Sequence, residues 1–223
     1  MSFISINKIN KTYGSGEAIV AAIANVSFEI ESGEFISVMG ESGAGKSTLL
    51  SVLGGMNTPT SGSYQVDGMD IYALHSEQRA DFRREYLGFI FQSFYLIPYL
   101  SVMENVLLPL VNTPKKPQEK AEMALQALAW VGLENKADRL ANRISGGEME
   151  RAAVARAIVN KPPILLADEP TGNLDSRNSN EVMQLLQQLN TDGATVIMVT
   201  HSAECAGYAN RQIEVQDGRV VHQ

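Results

Sequence analysis

At 223 residues, with 44% hydrophobic and 19% charged residues, the chain can bury one large core or two joined lobes, and its composition excludes a disordered or fibrous protein. A formal charge of −7 argues against a broad nucleic-acid footprint, which needs a basic face. The single cysteine, Cys205, excludes an internal disulfide framework, suits a reducing compartment and is expected as a small buried thiol.

In chain order, "FISI" at 3–6 and "VSFEI" at 26–30 alternate apolar and polar residues, the period of half-buried antiparallel strands. No window approaches the roughly 18 apolar residues of a membrane span, and "MSFISINKINKTYG" lacks the apolar core of a signal peptide. The expectation is therefore a soluble cytoplasmic chain that meets a membrane only through a partner. A Glu31-Ser32-Gly33 turn leads into a predicted strand, Phe35–Met39, which stops at Gly40.

There the run Gly40, Glu41, Ser42, Gly43, Ala44, Gly45, Lys46, Ser47, Thr48 fits G-x-x-x-x-G-K-[S/T] between a strand and a predicted helix, Lys46–Leu53. Glycines at 40, 43 and 45 let successive backbone N–H groups approach phosphate oxygens, and the helix start adds partial positive charge. Lys46 can reach the β- and γ-phosphates, and the Ser47 hydroxyl can ligate Mg²⁺, so the chain is expected to bind a nucleoside triphosphate.

"GSYQVDGMDI" carries Asp67-Gly68 as a hairpin turn, and Gln92 in "FIFQSF" closes an apolar strand where it can bond metal or water. From there to about residue 157 the pattern turns helical, with Met123, Leu125, Leu128 and Val131 at helical spacing and Trp130 expected in the packing of an inserted lobe. Within it, "ISGGEMERAAVARAI" begins with Ser145, Gly146, Gly147 and Glu148. Those residues suit either an anion held at a helix N-terminus or a capping box, and sequence physics does not choose.

"PILLADEP" at 163–170 and "TVIMVTHS" at 195–202 are apolar runs that end in polar residues, as central parallel strands do. Asp168 at such an end can hold a metal, Glu169 can activate water, and His201 can bond the γ-phosphate or that water. "RQIEVQDGRVVH" closes the chain with a second hairpin at Asp217-Gly218.

The ordered set "GESGAGKST", Gln92, "ISGGE", "ILLADEP", "GNLD" and His201 resembles the nucleotide-binding subunit of ATP-binding cassette (ABC) transporters over nearly the whole chain. The resemblance implies one α/β domain over 1–223. Its P-loop core, 1–91 and 158–223, has a mainly parallel central sheet and an antiparallel N-terminal β-subdomain, and about 92–157 is an inserted helical subdomain. It also implies ATP and Mg²⁺ as cofactors, with Ser47, Gln92 and Asp168 at the metal, Glu169 as catalytic base, His201 as switch histidine and Tyr13 stacked on adenine.

Two copies would pair head to tail, so that Ser145, Gly146, Gly147 and Glu148 meet the ATP held by the partner's Lys46, with Asp175 touching the partner. Ile144 in place of Leu, and "GGEMER" in place of "GGQQQR", depart from the family pattern but keep the Ser-Gly-Gly atoms. The chain is most similar to the branch for lipoprotein release and macrolide export, which works beneath a membrane permease at the inner face of the membrane. Phe94, Tyr95, Leu96, Ile97, Tyr99 and Leu100 offer either a dock for that permease or internal packing. A soluble ABC ATPase in DNA repair or translation is the alternative, opposed by the acidic charge and the single cassette. A phosphate-loop kinase would leave "SGGE" and "GNLD" unexplained.

Overall fold

The computed structural model describes residues 2–14 and 18–223. Strands β1 (Ile4–Tyr13), β2 (Val20–Ile30), β4 (Ser61–Val66) and β5 (Met69–Asp70) form an antiparallel sheet in the order β2-β1-β4-β5. The second sheet contains β3 (Phe35–Met39), β6 (Leu87–Phe91), β7 (Ile164–Asp168), β8 (Thr195–Thr200), β9 (Arg211–Gln216) and β10 (Arg219–His222). Its order is β10-β9-β3-β8-β7-β6, parallel throughout except for the β9-β10 hairpin at one edge.

The unbroken apolar runs of β7 and β8 follow from burial on both faces. Ile164, Leu166, Ile197 and Val199 face a core shared with β1, β2, β4 and helix α1 (Lys46–Leu53). The alternate residues Leu165, Ala167, Val196 and Met198 face a second core. That core is built with α3 (Val102–Leu107), α4 (Pro117–Trp130), α5 (Gly146–Ile158) and α6 (Ser176–Thr191). Among the described residues the remaining α-helices are α2 (Ser76–Tyr86) and the single turn α7 (Ala203–Ala206).

Two expectations change. β1 and β2 extend well beyond "FISI" and "VSFEI", because pairing continues through register shifts to Tyr13↔Val20. Side chains occupy the irregular positions: Lys8 N donates to Ser27 Oγ (2.8 Å) and Asn25 N to Asn10 Oδ1 (2.9 Å). Leu125, placed on the buried face of α4 by its spacing, is 45% exposed; Ala124, Ala127 and Leu128 carry that face instead. Trp130 is partly buried against the second core, and Cys205 is a buried free thiol. Among the described residues no helix is long and apolar enough to cross a membrane.

Candidate functional site

Parallel register brings the chemistry to one edge of the large sheet. Met39 pairs with Thr200, Asp168 with Val199 and Phe91 with Asp168, so Gly40, His201, Glu169 and Gln92 all leave the sheet at the same end. Open α/β sheets hold ligands at that end. A cavity of about 630 Å³ there is lined by Ser42, Gly43, Gly45, Lys46, Ser47, Thr48, Gln92, Glu169 and His201, with Val20, Ala21 and Ala22 from β2.

The loop between β3 and α1 is shaped for an anion. Gly45 has φ +96°, and a Cβ there would lie 2.2 Å from the Ala22 carbonyl oxygen, so only glycine fits. Gly45 is also the N-cap of α1 and offers no side-chain cap, nor is there an acidic residue in the first turn. The first N–H groups of α1 thus keep both their donors and the helix dipole for a ligand. Lys46 is buried, and its Nζ donates to the carbonyls of Gly40 (2.8 Å) and Glu41 (2.9 Å), which neutralises the loop's own acceptors and centres a cation inside it.

Beside it, Ser47 Oγ donates to Asp168 Oδ1 at 3.2 Å. Burial raises the Asp168 carboxyl above its usual range and Glu169 adds to this, against the opposing effects of the Ser47 hydrogen bond and Lys46. A cation at this pair would relieve the strain of holding charge there. Among the described residues no group of three His, Cys, Asp or Glu side chains has metal-binding spacing. One carboxylate plus a hydroxyl is nonetheless the partial set that Mg²⁺ takes when phosphate and water oxygens complete its shell.

Glu169 sits in the left-handed region at φ +48°, held by its N–H donating to Val199 O (2.9 Å). Such a conformation costs energy in a side-chain-bearing residue and aims the carboxylate off the end of β7. Glu169 Oε1 lies 2.9 Å from His201 Nδ1, with the Glu169 side chain 14% exposed and the histidine 67%. A carboxylate held by an imidazole beside this cavity is placed to accept a proton from water.

Gln92 reaches the same cavity, and its backbone carbonyl accepts from Asn173 Nδ2 at 2.8 Å. The following segment is bent by left-handed residues Phe94 and Tyr95, whose carbonyls accept from Arg156 at 2.5 and 2.6 Å. Fully buried Asn105 fixes the rest of the segment: it accepts from Ile97 N (2.7 Å) and donates to the Ile97, Leu100 and Ser101 carbonyls. That scaffold presents Tyr95, Ile97 and Tyr99 to solvent, while Phe94, Leu96 and Leu100 are partly buried.

The start of α5 does not line this cavity. Ser145 Oγ accepts from Glu148 N, and a Glu148 carboxylate oxygen accepts from Ser145 N at 2.8 Å, so within the chain the capping box forms. The Ser145 backbone donor holds the Glu148 carboxyl below its usual range, with Lys136 adding to the effect from 3.2 Å. Asp175 caps α6 in the same manner, accepting from Asn178 N (2.9 Å) and Asn178 Nδ2 (2.7 Å). The N–H groups of Gly146 and Gly147 stand in the first turn, where no intrahelical acceptor exists.

Tyr13 ends β1 half-exposed, its hydroxyl bonded by Asn57 Nδ2 and its ring beneath Lys11 Nζ at 5.1 Å, and it is not among the residues lining the cavity. Sequence reasoning missed Val20, Ala21 and Ala22, which enter the cavity only because β2 passes over Gly45. It also missed Arg156 and Asn173, whose bonds are to backbone carbonyls and leave no pattern in side-chain spacing.

The family described as "ABC transporter" matches residues 23–172. The macrolide export ATP-binding/permease protein MacB of Mannheimia succiniciproducens is 42% identical over 99% of this chain, which spans about a third (34%) of that relative. The ABC transporter ATP-binding protein YvrO of Bacillus subtilis is 39% identical, over 98% of this chain and 95% of its own length. A dimeric structure of the bacterial ABC transporter cassette MJ0796 superposes with a TM-score of 0.91 at 42% identity, covering 98% of this chain and 97% of that one. The same cassette bound to ADP and phosphate in a post-hydrolysis dimer matches equally well.

Proposed function

The chain belongs to the ABC transporter family as an ATP-binding cassette, and from that premise we propose that it hydrolyses ATP at composite sites formed by two copies, driving a separate membrane permease. The carrying observation is the sheet edge where Lys46, Ser47 and the Glu169–His201 pair line one cavity and Asp168 stands behind it, bonded by Ser47. The loop 40–48 and the start of α1 bind the triphosphate through backbone N–H groups, with Lys46 on the terminal phosphates. Ser47, Asp168 and Gln92 would hold Mg²⁺, which neutralises phosphate charge when bound. Glu169 takes a proton from the attacking water, and His201 orients that carboxylate and bonds the γ-phosphate. Tyr13, half-exposed at the end of β1, would stack on the adenine.

Ser145, Gly146, Gly147 and Glu148 cover the nucleotide of the other copy. Two features support this: the α5 start lies away from its own chain's cavity, and its first-turn donors face no acceptor of their own helix. Asp175 contacts the partner beside it. The segment from Phe94 to Leu100 receives the permease, with exposed Tyr95, Ile97 and Tyr99 as apolar anchors. The likeness to MacB supports macrolide export, and the likeness to YvrO supports the role of an ABC transporter's ATP-binding protein, which we place at the inner face of the membrane.

Glu169→Gln tests the chemistry. It is expected to keep Mg-ATP affinity while turnover falls on the order of a thousandfold, within the range of a lost general base. Undiminished phosphate release would remove Glu169 from the role of base. Purification from membranes with a permease that is lost on Tyr99→Glu tests the docking segment.

A further inference from the structure

The two glycines at the start of α5 are not equivalent. A Cβ at Gly146 would meet nothing within 4 Å, whereas one at Gly147 would fall 2.0 Å from Asn178 Oδ1 and 2.5 Å from its Cγ. Gly147 is buried, and neither glycine has the positive φ that would itself require glycine. Within the chain, therefore, Gly147 must lack a side chain because Asn178 occupies that space, and Gly146 is open toward solvent.

Asn178 cannot easily yield. Its Nδ2 donates to Asp175 Oδ2 at 2.7 Å and its backbone N–H to Asp175 Oδ1 at 2.9 Å, so the amide is clamped between the cap of α6 and the first turn of α5. One turn further along, Arg151 of α5 bonds Glu181 of α6 at 2.8 Å, and Arg177 bonds the other Glu181 oxygen at 3.3 Å. Two helix starts that come from different parts of the chain are locked at both their first and second turns.

We propose that Asn178 is a positioning residue that joins the Ser145–Gly147 helix start to the Asp175 cap, so that both surfaces offered to a second copy move as one body. The proposal rests on the composite-site reading above. Asn178 touches neither nucleotide nor metal; it acts through Gly147 and Asp175. A Cβ is missing at Gly146 on the face left open to the other copy and at Gly147 on the face taken by Asn178, while the backbone N–H groups of both remain available to the nucleotide.

A double-mutant cycle on the full chain tests this, reading kcat, KM and monomer Mg-ATP affinity for Asn178→Ala, Gly147→Ala and the pair. A Cβ at 147 evicts the Asn178 amide from Asp175, so both single variants break the same contact. Each is expected to lower kcat about tenfold with monomer affinity within about twofold of wild type, and the double variant to be no worse than the worse single. Gly146→Ala combined with Asn178→Ala should instead give the product of the two losses. Asn178→Ser, too short to bridge Gly147 and Asp175, supplies the same split if Asn178→Ala folds poorly.

Wild-type kcat in both position-178 variants, or losses at 147 and 178 that simply multiply, overturns the positioning role while leaving the composite site standing. If the composite site itself is wrong, Glu169→Gln stays monomeric in ATP whatever residue stands at 178, and the proposal falls with it.

Discussion

The starts of α1 and α5 are both glycine-rich entries into a helix, yet they are finished in opposite ways. α1 has no side-chain cap and no acid in its first turn, and Lys46 and the Ser47–Asp168 pair of the same chain stand beside it. α5 carries a capping box between Ser145 and Glu148, and the nearby Lys136 pairs with the Glu148 carboxylate. The difference teaches that an anion site must be judged by what surrounds the helix start. On the composite-site proposal, the first start binds the nucleotide of its own chain and the second closes over the nucleotide of the other copy.

The largest expected effects split along this contrast. Ser145→Arg should reduce hydrolysis to background while monomer Mg-ATP affinity, followed by titration calorimetry, stays near wild type. Loss of binding instead would place α5 in its own chain's site and erase the distinction. Lys46→Ala should do the reverse, weakening nucleotide binding on the order of a hundredfold, because a buried charge pair with phosphate is broken. Unchanged affinity would remove the loop 40–48 from the phosphate.

A smaller effect lies inside α5. Glu150 is fully buried with both carboxylate oxygens unpartnered, and burial pushes its carboxyl up to about 8, opposed by Arg156. Between the ordinary value of 4.5 and about 8, the folded chain holds a proton that the unfolded chain releases. Stability conferred by that proton is complete below 4.5 and is lost as pH rises through about 8. Glu150→Gln should flatten the dependence and be the more stable protein at pH 8, by roughly 1–3 kcal/mol in urea unfolding. Equal slopes for the two proteins would mean that Glu150 is ionised in the fold.

The smallest effect belongs to the cap. Ser145 N–H holds the Glu148 carboxyl low, so its contribution is present above the ordinary glutamate value and is lost as pH falls through the depressed one. Glu148→Ala should cost about 0.5–1 kcal/mol near neutral pH and less in acid, by the same unfolding measurement. A cost that persists unchanged in acid would assign it to packing.

The central strands and the phosphate loop were legible because each is a local signal: β3 and α1 fall at Phe35–Met39 and Lys46–Leu53, as the residues imply. Asp168, Glu169, Gln92 and His201 were legible as polar residues ending apolar runs, since parallel register then forces them to one edge. What stayed hidden is non-local or carried by backbone. α2 is mostly polar, six of its eleven residues being charged, and only Phe82 is buried, so no apolar period marks it. Asn178 is one polar residue in a polar helix start, and its contact with Gly147 exists only after α5 and α6 have packed. At Ser145 the cap and the anion use the same residues, and within one chain the fold forms the cap.

Mixing two inactive variants tests most directly whether the α5 start serves another chain's nucleotide. Lys46→Ala keeps its α5 start but lacks a working phosphate loop, and Ser145→Arg keeps its loop but lacks a working α5 start. Phosphate release is predicted to be at background for each alone and to appear in an equal mixture with Mg-ATP, at a fraction of the wild-type rate. A mixture as inactive as its components would contradict the account and confine the site to a single chain.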